Sequence, residues 1–370
     1  MASLYSKILK PIFFTFDPER VHDGIMRAGS LLSKNSLTRS ITRALLQYEN
    51  ELLEQELHGS KYKNPVGLAA GFDKDAKTIH ILPHVGFGHV TVGSVTYSAY
   101  GGNPKPRLTR LPKSKGIVVY YGLKNDGVKK IAPRINRDRV AGMPITYSIA
   151  KTNSARTKKT DSGIKDYYLS LKYLENQGAA DTYEINISCP NTFGGEPFTS
   201  PKKLSKLLER LSHIQTNRPR YIKMPINLEW KEFKALLDVI LEFGFEGVNI
   251  GNLTKERDSD KIKEDVSTSL RGGISGKPTY ELSNYLIKKT YEYAGDRLTI
   301  IGTGGIFTAE DAYKKIKSGA SLVELITGMI YEGPQVIKRI NKGIVRLLEE
   351  DGYTSINQAI GADTKRGSLN

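Results

Sequence analysis

The feature that most constrains this chain is an alternation, from residue 64 onward, of short apolar runs with longer amphipathic stretches. The apolar runs are rich in Val, Ile and Tyr and are bounded by Gly, Asn, Pro or Ser, as buried strands are. The pattern predicts eight strands. They lie at residues 65–70, 89–95, 145–150, 183–188, 221–225, 247–251, 298–302 and 322–327.

Between the predicted strands lie stretches with helical periodicity, several of which end at a glycine, as helices commonly do. These stretches span residues 164–177, 203–216, 230–243, 280–293, 309–318 and 335–350. Eight strands, each followed by a helix or a long excursion, predict an α/β fold of the (β/α)8 TIM-barrel type. A doubly wound parallel sheet is the alternative, because periodicity does not show whether a sheet closes.

Two observations favour the barrel over the open sheet. Polar and Gly-rich clusters fall repeatedly at the carboxyl ends of the predicted strands, where barrel active sites lie. In addition, no helix opens with the dinucleotide-binding pattern G-x-G-x-x-G. The nearest match begins at Gly302 and Gly304 but has Phe307 in place of the third glycine.

Composition excludes several classes of protein. The hydrophobic fraction of 39% is enough for a packed core. A single Cys excludes a disulfide within the chain, a four-Cys zinc site and a self-ligated iron–sulfur cluster. The apolar runs are far shorter than the roughly 20 residues that cross a bilayer. The basic segment at residues 101–160 has no zinc finger, helix-turn-helix or RNP-like aromatic pattern, so nucleic acid is not expected as a partner.

The formal net charge of +16 is local. Residues 101–160 carry 15 basic and two acidic side chains, and most of the remaining excess lies in residues 1–43. A solvated basic face is one interpretation. The other is attraction for anionic ligands and for anionic lipid near the start of the chain.

Residues 1–60 are predicted to form a separate helical element, and residues 61–370 the barrel. An apolar segment with basic flanks ends near Phe16, and Asp17 and Pro18 then suit the N-cap and first turn of a second helix. One interpretation is a pair of membrane-surface helices with an apolar slot for a lipophilic molecule. The other is a helical cap packed on the barrel.

Residues suited to chemistry follow most of the predicted strands. Small residues and Lys74 follow the first strand, and a flat ligand can lie against such backbone. After the fourth strand, Asn186 and Asn191 flank Cys189, and carboxamides suit a uracil-like ring because they donate and accept hydrogen bonds at once. The thiol is a candidate base for a carbon-bound proton. Lys223 and Asn252 end the next two strands, and Gly-rich turns after the last two suit a phosphate.

Together these motifs resemble those of the dihydroorotate dehydrogenase family, and in particular its class 2, quinone-using, membrane-associated branch. The resemblance covers nearly the whole chain. It is carried by Asp17-Pro18-Glu19-Arg20, the run from Asn64 to Lys74, Gly102-Asn103-Pro104-Lys105-Pro106-Arg107, the run from Asn186 to Thr192, the run from Gly272 to Pro278, the run from Ile301 to Gly305, and Ile360-Gly361-Ala362-Asp363.

The resemblance implies an FMN-dependent oxidation of dihydroorotate to orotate in pyrimidine biosynthesis, with a quinone as electron acceptor. Cys189 would be the base that removes the C5 proton. The substrate would be held by Lys74, Asn186, Asn191 and Asn252. FMN would be held by Ala70, Gly71, Ser94, Ser148, Asn186, Lys223, Gly276, Gly305 and Thr327. The quinone would bind in the N-terminal slot, with the protein on the cytoplasmic side of a bacterial inner membrane.

The chain departs from the family pattern at four positions. Cys189 stands where class 2 members usually place Ser, and a thiol with an ordinary pKa near 8.5 is the more accessible base. A substrate-binding Asn of the family is Val119 here, a Thr is Leu253, and a flavin-contacting Asn is Ser148. Either neighbours such as Tyr120 and Lys124 compensate, or the substrate has changed.

Two alternatives to a dihydroorotate dehydrogenase therefore stay open. The first is a paralogous FMN oxidoreductase of the same fold that acts on a different, less polar cyclic substrate, for which Val119 and Leu253 are the motive. The second is a flavin- or anion-binding protein that has lost turnover. Substitution of Cys189 by Ala would leave every activity of such a protein unchanged.

Overall fold

The computed structural model describes residues 5–138, 142–178, 180–267 and 269–364. The outer ends of the predicted ranges 1–60 and 61–370 therefore lie outside the described residues, as does Arg139 of the basic segment. Within the described residues the strands are β1 Gln55–Leu57, β2 Ser60–Tyr62, β3 Val66–Leu68, β4 His89–Val95, β5 Leu108–Leu111, β6 Gly116–Val119, β7 Ile145–Ile149, β8 Thr182–Asn186, β9 Arg220–Met224, β10 Gly247–Ile250, β11 Gly273–Gly276, β12 Thr299–Thr303 and β13 Leu322–Leu325.

The α-helices lie mainly between the barrel strands and before them. They are α1 Lys10–Thr15, α2 Pro18–Lys34, α3 Ser36–Leu46, α4 Leu82–Val85, α5 Val128–Asp138, α6 Thr160–Gln177, α7 Pro201–Ser212, α8 Trp230–Glu242, α9 Tyr280–Ala294, α10 Ala309–Lys317, α11 Thr327–Glu332, α12 Val336–Glu350 and α13 Ile356–Ala359. The chain start also forms a π-helix at Tyr5–Leu9. No described helix is long and apolar enough to cross a membrane.

Eight of the strands close into a parallel barrel in the order β3-β4-β7-β8-β9-β10-β12-β13, with β13 pairing back to β3. This confirms the predicted (β/α)8 barrel and excludes the open doubly wound sheet. Each of the eight predicted strands corresponds to one barrel strand within a few residues. All positions of strands such as β4 and β8 are buried, because helices cover the outside and side chains fill the inside.

The amino-terminal end of the barrel is closed by an antiparallel hairpin of β1 and β2, which the sequence analysis missed. Its turn has positive φ angles at His58 (50°) and Gly59 (76°), which the right-handed twist of a two-residue hairpin requires. Tyr62 of the hairpin packs with Tyr221, Ile301 and Leu322 in an apolar layer. The candidate site therefore has a closed floor at the opposite end.

A three-stranded antiparallel sheet, in the order β11-β6-β5, lies at the carboxyl-terminal end of the barrel and was also missed by the sequence analysis. Its strands are four residues long, and three of the four positions of β5 are half-buried. The N-terminal helices dock beside it. As predicted, Asp17 caps α2, since its side chain accepts a hydrogen bond from the Arg20 amide at 2.9 Å.

Candidate active site

The carboxyl ends of the barrel strands surround a cavity of about 190 Å³, here called the reaction cavity. Ten of the predicted site residues line it, although they come from six different strand ends or loops. They are Ala70, Gly71, Lys74, Ser94, Asn186, Cys189, Asn191, Lys223, Asn252 and Thr327. The parallel closed sheet brings them together because every strand ends at the same rim.

Cys189 lies on the loop after β8 and is partly exposed to the cavity. Burial raises the pKa of its thiol to about 11, with the Glu196 carboxylate acting in the same direction. Lys151 and Lys223 lower the pKa but do not offset the burial. The expectation of an ordinary thiol pKa near 8.5 is therefore wrong for this environment. At neutral pH the resting side chain is a thiol and not a thiolate.

The carboxamides are held in fixed orientations by neighbouring groups. Asn186 donates through Nδ2 to the Ser94 hydroxyl at 2.8 Å, and Asn252 donates to the Ser188 carbonyl at 2.9 Å. Asn191 donates through Nδ2 to the Val119 carbonyl at 2.8 Å. Each Asn therefore presents a preset edge to the cavity, which lowers the entropy lost when a polar ring binds.

Lys74 lines the reaction cavity and also contacts the N-terminal helices. Its Nζ lies 3.3 Å from Nε2 of His22 on α2 and 4.0 Å from the centroid of the Tyr121 ring. Burial lowers the pKa of Lys74 to about 8 and that of His22 to about 3, so His22 is neutral and accepts a hydrogen bond from the ammonium group. A bound carboxylate would stabilise the charged form of Lys74.

A second cavity, of about 100 Å³, continues from the reaction cavity beneath the turns after β12 and β13. Gly276, Gly305 and Thr327 line it, together with Ser275, whose hydroxyl lies 2.9 Å from that of Thr327. A Cβ on Gly276 would approach the Lys115 carbonyl to 2.3 Å, and one on Gly305 would approach Tyr280 Cβ to 2.5 Å. Only glycine leaves this backbone exposed to a ligand, as phosphate cradles require. We call this space the phosphate cavity.

Three of the four departures from the family pattern, Cys189, Val119 and Leu253, lie on the wall of the reaction cavity. Lys124, suggested above as a compensating residue, also lines the cavity, whereas Tyr120 is not among the lining residues. Ser148 is fully buried and lies behind the wall, with its hydroxyl 2.8 Å from that of Ser94. Of the two suggested compensating residues, only Lys124 reaches the cavity.

A third cavity, of about 330 Å³, lies beneath α1, α2 and α3 and is here called the apolar slot. Its walls include Phe13, Phe14, Val21 and Ile25 from the N-terminal helices. It shares five lining residues with the reaction cavity. These are His22, Phe72, Leu108, Ile117 and Ile330. The two spaces therefore meet, which sequence reasoning did not locate.

Glu19 on α2 docks the N-terminal helices to the rim of the barrel. Its carboxylate is buried and lies 3.0 Å from Arg107, 3.3 Å from Lys124 and 3.8 Å from Lys105. Two motifs of the family resemblance, around Asp17 and around Arg107, thus meet in one ionic cluster. Glu19 therefore neutralises part of the positive charge of residues 101–160.

Sequence reasoning missed His22, Tyr121 and Ser275, which all line the reaction cavity. Ser275 lies inside the quoted run from Gly272 to Pro278, and His22 lies two residues after the quoted Asp17-Pro18-Glu19-Arg20 motif. Only Ser275 was therefore inside a matched motif. Nothing in the spacing indicated that α2 reaches the cavity.

Comparison with known proteins gives a consistent result. The family model described as Dihydroorotate dehydrogenase matches residues 52–348. Two relatives, from Trichodesmium erythraeum (strain IMS101) and Acaryochloris marina (strain MBIC 11017), are named "Dihydroorotate dehydrogenase (quinone)". The first is 34% identical over 99% of this chain and 100% of its own length, and the second is 36% identical over 97% and 99%. The crystal structure of DHODH from Eimeria tenella in complex with ferulenol is also similar, with a TM-score of 0.81, 28% identity, and coverage of 94% of this chain and 96% of that chain.

Proposed function

The chain belongs to the dihydroorotate dehydrogenase family, and we propose that it oxidises dihydroorotate to orotate with bound FMN and a quinone as electron acceptor. One observation carries the proposal. A cavity lined by a thiol, three lysines and three carboxamides meets an apolar slot, and the two share His22 and Phe72. Such a pair of sites suits one polar and one lipophilic substrate.

The residues of the reaction and phosphate cavities fit FMN. Gly276, Gly305 and Thr327 offer backbone and hydroxyl groups to a phosphate, and Ala70 and Gly71 leave a flat wall for a ring system. Lys223 lines both cavities and supplies a cation beside that wall. A flavin held here would supply the two-electron chemistry that no side chain of the chain can perform.

The remaining groups of the reaction cavity suit dihydroorotate. Lys74 would pair with its carboxylate, and Asn186, Asn191 and Asn252 would hold the amide groups of its ring. Cys189 would take the C5 proton. Because burial raises the pKa of this thiol to about 11, the reactive thiolate is scarce at neutral pH and its share rises tenfold with each pH unit.

The apolar slot suits the quinone, and we assign quinone binding to the N-terminal element of residues 1–60, whose helices α1, α2 and α3 line the slot. Arg110 is one of the few charged residues on the slot wall, and its guanidinium donates to the Phe16 carbonyl at 2.8 Å. The slot is lined by residues of α1, α2 and α3 and shares His22 and Phe72 with the reaction cavity. A lipophilic molecule bound among these helices would thus lie next to the reaction cavity.

The same helices expose an apolar face that suits peripheral membrane contact. Large apolar side chains are exposed along α1, α2 and α3 and along the π-helix before them, an arrangement typical of helices that lie in a membrane surface. They are Ile8, Leu9, Ile12, Phe16, Ile25, Leu31, Leu32, Leu37, Ile41 and Leu45. We place this face on the cytoplasmic side of a bacterial inner membrane, where quinones are dissolved in the bilayer.

Val119 and Leu253 on the cavity wall favour one second candidate, an FMN oxidoreductase acting on a less polar cyclic substrate. A wall that lacks a polar partner discriminates poorly in favour of a polar ring. Anaerobic mixing separates the two candidates. We expect dihydroorotate to bleach the bound flavin; a flavin that stays oxidised with dihydroorotate and bleaches with another cyclic substrate would replace the first candidate by the second.

A further inference from the structure

Three polar side chains occupy the barrel interior directly beneath the reaction cavity. Glu184 on β8, Asn249 on β10 and Glu324 on β13 are each 0% exposed. The inside of such a barrel is ordinarily filled by branched apolar side chains. Removing a carboxylate from water costs several kcal/mol, so two of them in a core call for a compensating function.

A single amide joins the two acids. Asn249 donates through Nδ2 to Glu184 Oε2 at 2.6 Å and to Glu324 Oε2 at 2.9 Å. Its Oδ1 accepts a hydrogen bond from the Thr303 hydroxyl at 2.7 Å. All hydrogen-bonding groups of the Asn249 side chain are thus engaged, and the two carboxyl groups are held against the same nitrogen.

The two acids differ in their remaining partners. Glu324 also accepts a hydrogen bond from the Thr91 hydroxyl, which suits a carboxylate. The oxygen of the Thr303 hydroxyl, whose one proton goes to Asn249, lies 3.3 Å from Glu324 Oε2. Glu184 Oε1 has no hydrogen bond of normal geometry, although the nearby Ser148 hydroxyl lowers the pKa of Glu184, and the nearest cation to it is Lys223 Nζ at 3.8 Å. The unpartnered oxygen of Glu184 is therefore the one free to gain a hydrogen.

The charges around the pair do not balance two carboxylates. Lys223 is one cation, and His89, 3.8 Å from Glu324, is neutral because burial lowers its pKa to about 4. Burial raises the pKa of both Glu184 and Glu324, and Lys223 opposes that shift in each. One lysine therefore leaves one carboxyl group of the pair protonated.

The pair is also connected to the site above it. Lys223 lines both the reaction cavity and the phosphate cavity, and Thr303, which bonds to Asn249 and lies beside Glu324, lines the phosphate cavity. The Thr303 hydroxyl thus offers a path for protons between the cavity and the buried acids.

We propose that Glu184 and Glu324 are a proton-exchanging pair that holds one proton while the cofactor is oxidised and takes up a second from the solvent when electrons arrive beside Lys223. The inference rests on the proposed function only in that a flavin occupies the cavity. The charges would balance: a flavin that gained two electrons and one proton would carry one negative charge, and the second proton, taken up by Glu324, would raise the net charge of Lys223, Glu184 and Glu324 from zero to plus one. Reoxidation releases that proton.

The test reduces the bound flavin of the full-length protein with light and a sacrificial donor, without dihydroorotate or quinone. The reduced-minus-oxidised infrared difference spectrum should show a protonated carboxyl C=O band that appears on reduction and shifts in D2O. The isosteric variant Glu324→Gln should lose that band and take up one proton fewer per flavin, as read by an indicator dye in weak buffer, because Glu184 already holds its proton in the oxidised state. The exposed control Glu350→Gln should behave as the parent protein does.

A parent spectrum without a carboxyl change, or an unaltered band in Glu324→Gln, overturns the proposal. If Glu324→Gln does not fold, Thr303→Val takes its place: the band should then appear more slowly than in the parent, and an unchanged rate counts against the pair. A protein that binds no flavin overturns both the pair and the proposed function. Bleaching by light but not by dihydroorotate removes only the choice of substrate and leaves the pair intact.

Discussion

The reaction cavity and the apolar slot adjoin each other, yet they are formed by different secondary-structure elements. The reaction cavity is formed by strand ends of a closed barrel, and its polar groups are held by hydrogen bonds such as that from Asn186 to Ser94 at 2.8 Å. The slot is formed by helices with exposed apolar faces and is anchored to the barrel rim through Glu19. The position of the reaction cavity follows from the barrel topology, whereas the slot depends on how the N-terminal helices pack on the barrel.

This difference indicates a division of labour. A polar substrate needs a rigid set of donors and acceptors, because misplaced partners cost affinity. A lipophilic acceptor needs only an apolar path to the same cofactor. Changes in one region should therefore affect one half-reaction and spare the other.

The largest effect is expected for Cys189→Ala. Loss of the base should slow flavin reduction by dihydroorotate about 10²–10⁴-fold, the range typical of a removed general base. Reoxidation of light-reduced flavin by a quinone should keep its rate, because Cys189 lines the reaction cavity and not the slot. Rapid-mixing absorbance of each half-reaction provides the measurement, and equal losses in both would contradict the division.

A pH series should separate the regions without mutation. Burial raises the pKa of Cys189 to about 11, so the thiolate share, and with it the rate of flavin reduction, should rise about 100-fold from pH 7 to pH 9. The sign follows because a base acts in its deprotonated form, which becomes more abundant as pH rises. A plateau of the reductive rate below pH 9 would contradict a base with so high a pKa, and a plateau that persists in Cys189→Ala would show that the thiol is not the base.

Charge placed in the slot should give the converse result. Val21→Asp introduces a carboxylate into an apolar wall, and we expect kcat/KM for a water-soluble quinone analogue to fall about tenfold or more. Leu37→Asp is the matched control, since Leu37 is 64% exposed on α3 and does not line the slot. Dihydroorotate-dependent dye reduction should change little in either variant, and a parallel loss there would merge the two regions into one.

The smallest effect is expected from restoring a carboxamide with Val119→Asn. The new amide would give the reaction cavity one more partner for a polar ring, worth about 1 kcal/mol, so KM for dihydroorotate should fall several-fold. The quinone parameters should stay constant. A rise in KM for dihydroorotate would instead indicate that the wall is shaped for a less polar substrate.

The barrel could be predicted from the sequence because its signal, a short run rich in apolar residues, is repeated eight times. Most of the predicted site residues come together for the same reason: strand ends share one rim. The short strands β5, β6 and β11 escaped prediction, since they lie within the connections between barrel strands and outside the regular alternation of strand and helix. The buried acids Glu184 and Glu324 each look like a single exception inside an apolar run, and only barrel closure reveals that they face each other through Asn249.

The raised pKa of Cys189 could not be predicted from the sequence for a different reason. The chemistry of a thiol is visible in the sequence, but its solvation is not, because the burial around it comes from loops distant in the chain. The contact between Lys74 and His22 joins residues far apart in sequence and depends on how α2 docks. Local patterns carry no information about either.

One experiment tests the division of labour most directly: sequential anaerobic mixing of the full-length protein, first with dihydroorotate and then with a quinone, while flavin absorbance is followed. We predict that the flavin bleaches in the first mix and recovers in the second, that Cys189→Ala blocks only the first step, and that Val21→Asp impairs only the second. If either variant impaired both steps equally, or if dihydroorotate failed to bleach the flavin, the account would be contradicted.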